Sequence, residues 1–425
     1  MDVLVVGNGG REHALAYALA QDPEVGAVHV APGNAGTALL ARAETHALDI
    51  GDPEAIAELA AKLAVDLVVI GPEAPLVAGA ADRVRARDIA CFGPSMAAAA
   101  IEGSKAFAKE IMAAAGVPTA MARVCDDPSQ AAAALDAFGP PYVVKDDGLA
   151  SGKGVVVTSD RAEALAHAAR CRRVVIEEFL DGPEVSLFAI ADGRNVVPLH
   201  PAQDFKRIND NDEGPNTGGM GAYTPLEWAP ADLVEDVVAR VIQPTIDELR
   251  HRGTPFSGLL YAGLALTSRG MRVIEFNCRF GDPETQSLLA LLKSPLAPLL
   301  HASATGDLGV IEPLRWRSEA SVTVVVSAAG YPENPRQGDV VGGLDEVAEL
   351  DGVTVYHAGT ALAEDGSVVV SGGRVLAVTA TGDDLVLARD RAYDAVARID
   401  IADSHYRRDV ALAAAHGEVR IPTAQ

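Results

Sequence analysis

Over the first hundred residues, short Val/Ile/Leu runs alternate with segments of helical period: Val3–Val6, a helix from about Glu12 to Ala20, Val28–Val30, a helix near Pro53–Lys62, Leu67–Ile70 and a helix near Leu76–Arg87. Strands that are apolar throughout, separated by amphipathic helices, predict a doubly wound parallel sheet. The predicted strands end in Gly7-Asn8-Gly9-Gly10, Pro32-Gly33-Asn34 and Gly71-Pro72-Glu73. These turns fall at the carboxyl edge, where open α/β sheets bind ligands.

From Ser95 to about Glu312 the pattern becomes mixed. A helix is predicted from about Ser104 to Ala115, stopped by Gly116-Val117-Pro118. Pro141–Lys145 and Val155–Thr158 read as strands flanking the loop Asp146-Asp147-Gly148-Leu149-Ala150-Ser151-Gly152-Lys153-Gly154. A helix near Arg161–Arg170 leads into a buried strand from Val174, and Ser257–Thr267 with Met271–Phe276 makes a hairpin. Beyond about Pro313 comes a third unit, with strands near Ala320–Ala328, Thr354–Gly359, Val368–Val370 and Val375–Thr381 and a helix over Asp383–Arg398. The resulting division is 1–102, 103–312 and 313–425, with a flexible lobe at about 118–185 in the middle unit.

At 425 residues the chain exceeds what one hydrophobic core usually fills. Its formal net charge of −24 repels phosphate backbones and anionic lipid headgroups, which argues against nucleic acid and membrane as partners. Charged residues interrupt every window long before the roughly 18 apolar residues of a membrane span. Met1-Asp2-Val3 lacks the basic start of a secretory signal, so a cytoplasmic protein is expected. Cys91, Cys125, Cys171 and Cys278 lie far apart with no C-x-x-C pair, against a disulfide framework or a cysteine zinc site. No H-E-x-x-H, G-x-S-x-G or Walker A pattern occurs.

Only seven of the 35 basic residues are Lys: Lys62, Lys105, Lys109, Lys145, Lys153, Lys206 and Lys293. A chain that otherwise uses Arg keeps lysine where a compact ammonium is wanted, as at a phosphate. Lys145 ends a buried strand. Lys153, between Gly152 and Gly154, either brings a point charge onto a polyphosphate or sits in a solvated loop. Ile274-Glu275-Phe276-Asn277 alternates at strand period, so Glu275 and Asn277 share a face. That pair is either a Mg²⁺ site of two hard oxygen donors or a solvated strand edge. Arg279 follows, and Asp282-Pro283-Glu284 reads as an Asp-capped helix start. Backbone groups of Glu177-Glu178-Phe179-Leu180 suit an adenine edge and Glu184 a ribose, or these charges simply close a strand. Gly7-Asn8-Gly9-Gly10-Arg11-Glu12 lacks the third glycine and the ribose-reading carboxylate of a dinucleotide site. It fits a single phosphate at a helix start, or a tight turn with no ligand.

Taken in order, seven segments resemble the phosphoribosylamine–glycine ligases, ATP-grasp enzymes of purine biosynthesis. They are Gly7–Ala14, Pro32–Thr37, Gly71–Leu76, Gly103-Ser104-Lys105, Gly148–Gly154, Pro215-Asn216-Thr217-Gly218-Gly219-Met220-Gly221-Ala222 and Glu275–Gln286. The resemblance runs from Met1 through the third unit. It implies an N-terminal Rossmann-like domain, a central ATP-grasp of two α+β lobes and a small mixed C-terminal domain. It also implies ATP as co-substrate and Mg²⁺ or Mn²⁺ held at Glu275 and Asn277. Lys105, Lys145 and Lys153 would neutralise phosphate charge, with Gly152 and Gly154 in the covering loop and Arg279 and Lys153 acting in catalysis. Gly9, Gly10, Arg11, Asn34 and Glu73 fall to the phosphoribosyl substrate, and Arg279 and Asp282 also count as substrate-binding. Asn216, Thr217, Gly218, Gly219 and Met220 line the meeting point of the substrates, with Asp204 and Lys206 either orienting glycine or forming a surface ion pair. Small molecules are the only partners implied, for a monomer or weak homodimer.

Two departures from that family stand out. Asp146 replaces a small residue after the strand-ending lysine, and strand alternation turns it away from the side Lys145 faces. The segment Ala168-Ala169-Arg170-Cys171-Arg172-Arg173 is shorter than the family's Gly- and Phe-containing flap. The competing readings are an ATP-grasp ligase or carboxylase for another acceptor, a nucleotide-binding protein without catalysis and, more remotely, a dehydrogenase.

Overall fold

The computed structural model describes residues 1–149 and 154–423. In the N-terminal unit, five parallel strands lie in the order Ala43–Thr45, Val28–Pro32, Val3–Gly7, Leu67–Ile70 and Ala90–Phe92. Val3 to Val6 and Leu67 to Val69 are fully buried, as strands covered on both faces must be. The helix expected near Leu76–Arg87 is instead two, Glu73–Val77 and Ala80–Arg85. Gly79, at φ 90°, breaks the run, because the left-handed region cannot continue an α-helix.

Two four-stranded antiparallel sheets form the middle of the chain. One orders Ala122–Cys125, Val174–Glu177, Tyr142–Asp146 and Val155–Thr158. Helices Pro128–Phe138 and Arg161–Ala168 cover it around Leu135, Val144 and Ile176. The other orders Val196–Pro198, Glu184–Asp192, Ser257–Thr267 and Gly270–Asn277. Helix Lys105–Ala114, capped by Ser104 Oγ on the Phe107 N–H at 3.1 Å, packs against helix Met96–Gly103 and strand Gly270–Asn277.

A further sheet, of five strands, joins distant parts of the sequence. Gln203–Asp204 and Gly221–Thr224 pair onto Ala320–Ser327, Arg374–Gly382 and Val353–His357. The Asn216–Met220 segment is thereby fixed between the middle sheets and the C-terminal unit. No helix among the described residues is long and apolar enough to cross a membrane.

Candidate active site

The hairpin Ser257–Thr267/Gly270–Asn277 slips register between Gly263 and Leu264, leaving Ile274 without a partner. A bulge of this kind frees a carbonyl. The Ile274 carbonyl accepts from Lys145 Nζ at 3.0 Å, and the same ammonium lies 2.9 Å from Glu177 Oε2. The other oxygen of Glu177 lies 2.9 Å from Lys109 Nζ, which also donates to Thr119 Oγ1 and the Ala120 carbonyl. One buried carboxylate therefore anchors two buried ammoniums and ties the two antiparallel sheets together. This gives Glu177 a side-chain task that the adenine-edge reading did not anticipate.

Glu275 sits beyond Lys145 on the same strand as the bulge. Burial alone would raise its pKa, but the charges of Lys206, Lys145, Lys105 and Arg279 outweigh that and hold the carboxyl below its usual value. Among the described residues, neither the Glu275 carboxylate nor the Asn277 amide makes a hydrogen bond or ion pair. Two uncommitted hard oxygen donors, one of them ionised, fit a Mg²⁺ or Mn²⁺ ion. Lys105 Nζ donates to the Gly148 carbonyl at 2.8 Å, while Asp147 accepts from Ser104 Oγ and the Ala106 N–H, so the loop start is pinned to the Lys105 helix. Gly152 and Lys153 lie outside the described residues; the Gly154 carbonyl accepts from the Asp146 N–H at 2.8 Å.

Asp146 lies beside Cys171, whose thiol is pushed up by burial and by that carboxylate. Arg173 reaches Asp126 at 3.2 Å and Asp147 at 3.6 Å, whereas Arg170 and Arg172 are exposed. Glu178 accepts from the Met121 N–H at 3.0 Å and pairs with Arg269 at 2.9 Å. Phe179 is exposed and Leu180 half-buried at the same strand end.

Arg279 lies between Glu73 (3.3 Å) and Glu102 (3.4 Å). Glu102 in turn accepts from the Cys278 N–H at 2.7 Å. Arg11 donates to the Phe280 carbonyl at 2.9 Å and lies 3.8 Å from Glu73. Asp282 does not cap the helix Glu284–Leu291, whose N-cap is Pro283 with no side-chain bond. The Asp282 carboxylate is drawn away by longer-range partners: the Arg11 N–H at 3.2 Å, Gln286 at 2.9 Å and Arg374 at 3.6 Å. Despite burial, which raises it, Arg374 and Arg11 hold this carboxyl below the usual range. Arg374, from the third unit, also donates to the carbonyls of Gly218 at 2.7 Å and Asp282 at 2.6 Å.

The first turn is partly committed to itself. Glu12 Oε2 accepts from the Gly9 N–H at 2.6 Å, and a Cβ on Gly7 or Gly71 would fall 2.5 or 2.0 Å from the Glu12 side chain. The residue that breaks the dinucleotide fingerprint thus fills the space its glycines leave. Asn34 donates to the carbonyls of Asn8 and His357, tying the second turn to the C-terminal unit. Gly10 abuts the Gln286 side chain, whose Oε1 is buried without a hydrogen-bond partner among the described residues.

Lys206 pairs with Glu184 at 2.7 Å, so Glu184 meets a lysine here. Burial and the neighbouring Glu284, Glu184 and Glu275 raise the Asp204 carboxyl against the pull of Lys206. The Lys206 carbonyl receives both the N–H and Oγ1 of Thr217, and the Met220 N–H bonds the Phe205 carbonyl, folding Asn216–Met220 against this strand. Behind it, Glu284 accepts from Tyr261 at 2.9 Å, next to Ser186.

Glu275, Asn277, Lys105, Lys145, Lys206 and Arg279 therefore converge, while Gly9, Gly10, Arg11, Asn34, Glu73 and Asp282 border the neighbouring junction of the three units. Sequence reasoning missed Lys109, Glu102, Glu284 and Arg374. Lys109 carried a signal in the rarity of lysine, and Glu284 stood inside the Glu275–Gln286 segment; Glu102 and Arg374 carried none.

The arrangement recurs in known proteins. Residues 1–102 match the family described as phosphoribosylglycinamide synthetase, N domain, residues 103–285 its ATP-grasp (A) domain and residues 321–413 its C domain. A phosphoribosylamine–glycine ligase from Streptomyces coelicolor is 65% identical over 417 residues, covering 98% of this chain and 100% of that protein. The crystal structure of phosphoribosylamine–glycine ligase from Thermotoga maritima superimposes with a TM-score of 0.83 at 33% identity, covering 96% of this chain and 100% of that one. The biotin carboxylase domain of Hydrogenobacter thermophilus 2-oxoglutarate carboxylase, solved with MgADP, shares the fold at TM-score 0.72 and 16% identity, over 95% of this chain and 91% of that one. With its three successive units matched along nearly the whole chain, the protein belongs to the phosphoribosylglycinamide synthetase family.

Proposed function

We propose that the protein ligates glycine to 5-phospho-D-ribosylamine at the expense of ATP, giving glycinamide ribonucleotide, ADP and phosphate in purine biosynthesis. The observation that carries this reading is the ionised Glu275 carboxylate, free of protein partners among the described residues and ringed by Lys206, Lys145, Lys105 and Arg279. Such a site is built for polyanions and for the cation that accompanies them. Glu275 and Asn277 hold Mg²⁺ or Mn²⁺, which when bound offsets charge on the phosphates. Lys105, Lys145 and Lys153 counter the remaining triphosphate charge, Gly152 and Gly154 let the loop approach, and the Glu177–Leu180 strand end with Glu184 receives the nucleoside.

In the first step a glycine carboxylate oxygen attacks the γ-phosphorus and ADP leaves, forming glycyl phosphate. Charge spread over the phosphoryl oxygens in that transition state is what Arg279 and Lys153 stabilise. In the second, the amine of phosphoribosylamine attacks the acyl carbon, loses a proton and expels phosphate. Asp204 and Lys206 orient glycine, with Asn216, Thr217, Gly218, Gly219 and Met220 separating the two substrates. Gly9, Gly10, Arg11, Asn34, Glu73 and Asp282 hold the phosphoribosyl group, and Gln286 Oε1, without a partner among the described residues, offers an acceptor beside it. Closure of the lobe shields the acyl phosphate from water. We read the protein as a monomer or weak homodimer working in the cytoplasm.

Purified protein with ATP, Mg²⁺ and glycine releases ADP rapidly only when phosphoribosylamine is added. Silence with all four present refutes the ligase reading and favours a nucleotide-binding protein. Equal release with a different amine acceptor refutes the substrate assignment.

A further inference from the structure

At the edge of the N-terminal sheet a cluster of donor groups stands outside the ligation chemistry. Glu44, on the edge strand Ala43–Thr45, pairs in parallel register with His29 of Val28–Pro32, so the two side chains leave the sheet on one face. His46, two residues past Glu44, returns to that face, its N–H held by the Val30 carbonyl at 2.9 Å. His29 Nδ1 consequently lies 2.9 Å from His46 Nε2 and 4.0 Å from Glu44 Oε2, and the three donor atoms all fall within 4.8 Å of one another.

These spacings fit one ion. Zn–N and Zn–O bonds of about 2.0–2.1 Å at tetrahedral angles put ligand atoms about 3.3 Å apart, between the two distances found. Lys62 is exposed at the end of helix Pro53–Leu63, where its flexible stem can swing clear. Glu44 and Lys62 leave the surroundings near neutral, and the partial exposure of the site leaves room for water as a fourth ligand.

We propose that His29, Glu44 and His46 form a site for a divalent transition ion of the Zn²⁺ class. Two imidazole nitrogens separate it from the all-oxygen preference of Mg²⁺. The ion fastens the three-residue edge strand Ala43–Thr45 to its neighbour, at the sheet edge opposite Ala90–Phe92.

The test uses the full chain, stripped with a chelator and kept in millimolar Mg²⁺ so that hard oxygen donors elsewhere are occupied. Titration with Zn²⁺ by calorimetry gives one equivalent bound, and Co²⁺ gives the intense visible bands of a low-coordinate, nitrogen-ligated ion. Glu44→Gln weakens Zn²⁺ binding by about tenfold or more, on the scale of losing one supporting contact at a metal site, with turnover unchanged; being exposed, this side chain can change without unfolding the sheet. His29→Ala/His46→Ala abolishes the Co²⁺ bands. Binding unaffected by Glu44→Gln, bands that survive the double substitution, or a Zn²⁺ Kd weaker than ~1 mM each overturn the assignment.

Discussion

Replacing Glu177 by Gln removes the one negative charge between two buried ammoniums. Both contacts are 2.9 Å, and the side chains of Glu177, Lys145 and Lys109 are only 4%, 5% and 11% exposed. At an effective dielectric near 20, each pair at such separations is worth about 6 kcal/mol gross, most of it offset by desolvation. Removing one partner of a buried pair typically costs about 3–5 kcal/mol, because the remaining charge is left uncompensated. The Gln oxygen still accepts from one lysine, so the low end, about 3 kcal/mol, is expected here.

Because Glu177 ends a strand of the lobe sheet, the loss should appear as local opening of that sheet. Amides in Ala122–Cys125, Tyr142–Asp146 and Val174–Glu177 should exchange roughly 100-fold faster, at about 1.4 kcal/mol per decade, while Val3–Gly7 and Leu67–Ile70 keep wild-type rates. Hydrogen exchange followed by mass spectrometry reads both. The pH dependence has a definite sign. Burial already depresses the Lys109 ammonium, with Glu177 pulling it back up; without Glu177 it falls further. The unfolded chain then binds more protons than the folded one between that lowered value and about 10.5, so stability recovers as pH rises. The deficit, measured by urea-dependent proteolysis, should narrow as pH is raised toward 10.5. Lobe exchange within threefold of wild type, or a deficit that widens with pH, would refute the reasoning.

Glu275→Gln should lower kcat by about 10³-fold with far-UV circular dichroism and thermal melting close to wild type, since it removes the negative charge of the proposed metal ligand and no core packing; near-normal turnover shows that the metal is held elsewhere. Asp282→Asn keeps the shape but loses the charge facing Arg374 and Arg11 (3.6 and 3.9 Å), and should raise KM for phosphoribosylamine by about tenfold with KM for ATP unchanged. An equal rise in both would place Asp282 outside the amine site. Asp204, raised from 3.8 to about 7, stabilises the fold at low pH, and that contribution is lost as pH climbs through about 7. Asp204→Asn should flatten the fall in stability between those values in urea titrations, and an unchanged slope would assign it to another group.

What could be read from the chain beforehand was whatever local periodicity encodes. The apolar runs at Val3 and Leu67 announced the parallel sheet, and the alternation at Ile274–Asn277 put Glu275 and Asn277 on one face. The helix expected over Leu76–Arg87 failed because Gly79 adopts positive φ, a choice that composition alone does not force. Asp282 looked like a cap because it precedes a proline and a helix, yet Arg11 and Arg374, 271 and 92 residues away, hold its carboxylate more strongly than the helix end does. The Lys109–Glu177–Lys145 bridge and the reach of Arg374 into Gly218 depend on sheets assembled from distant segments. No short window contains both ends of such a contact.

The most direct test of the chemistry follows a carboxylate oxygen. With both carboxylate oxygens of glycine replaced by ¹⁸O, attack on the γ-phosphorus and later expulsion of phosphate by the amine must leave one labelled oxygen in every inorganic phosphate released, and the other in the amide product. Mass spectrometry of phosphate from complete turnover should therefore show a single ¹⁸O per molecule and none in ADP; phosphate without label would contradict activation of glycine by phosphoryl transfer.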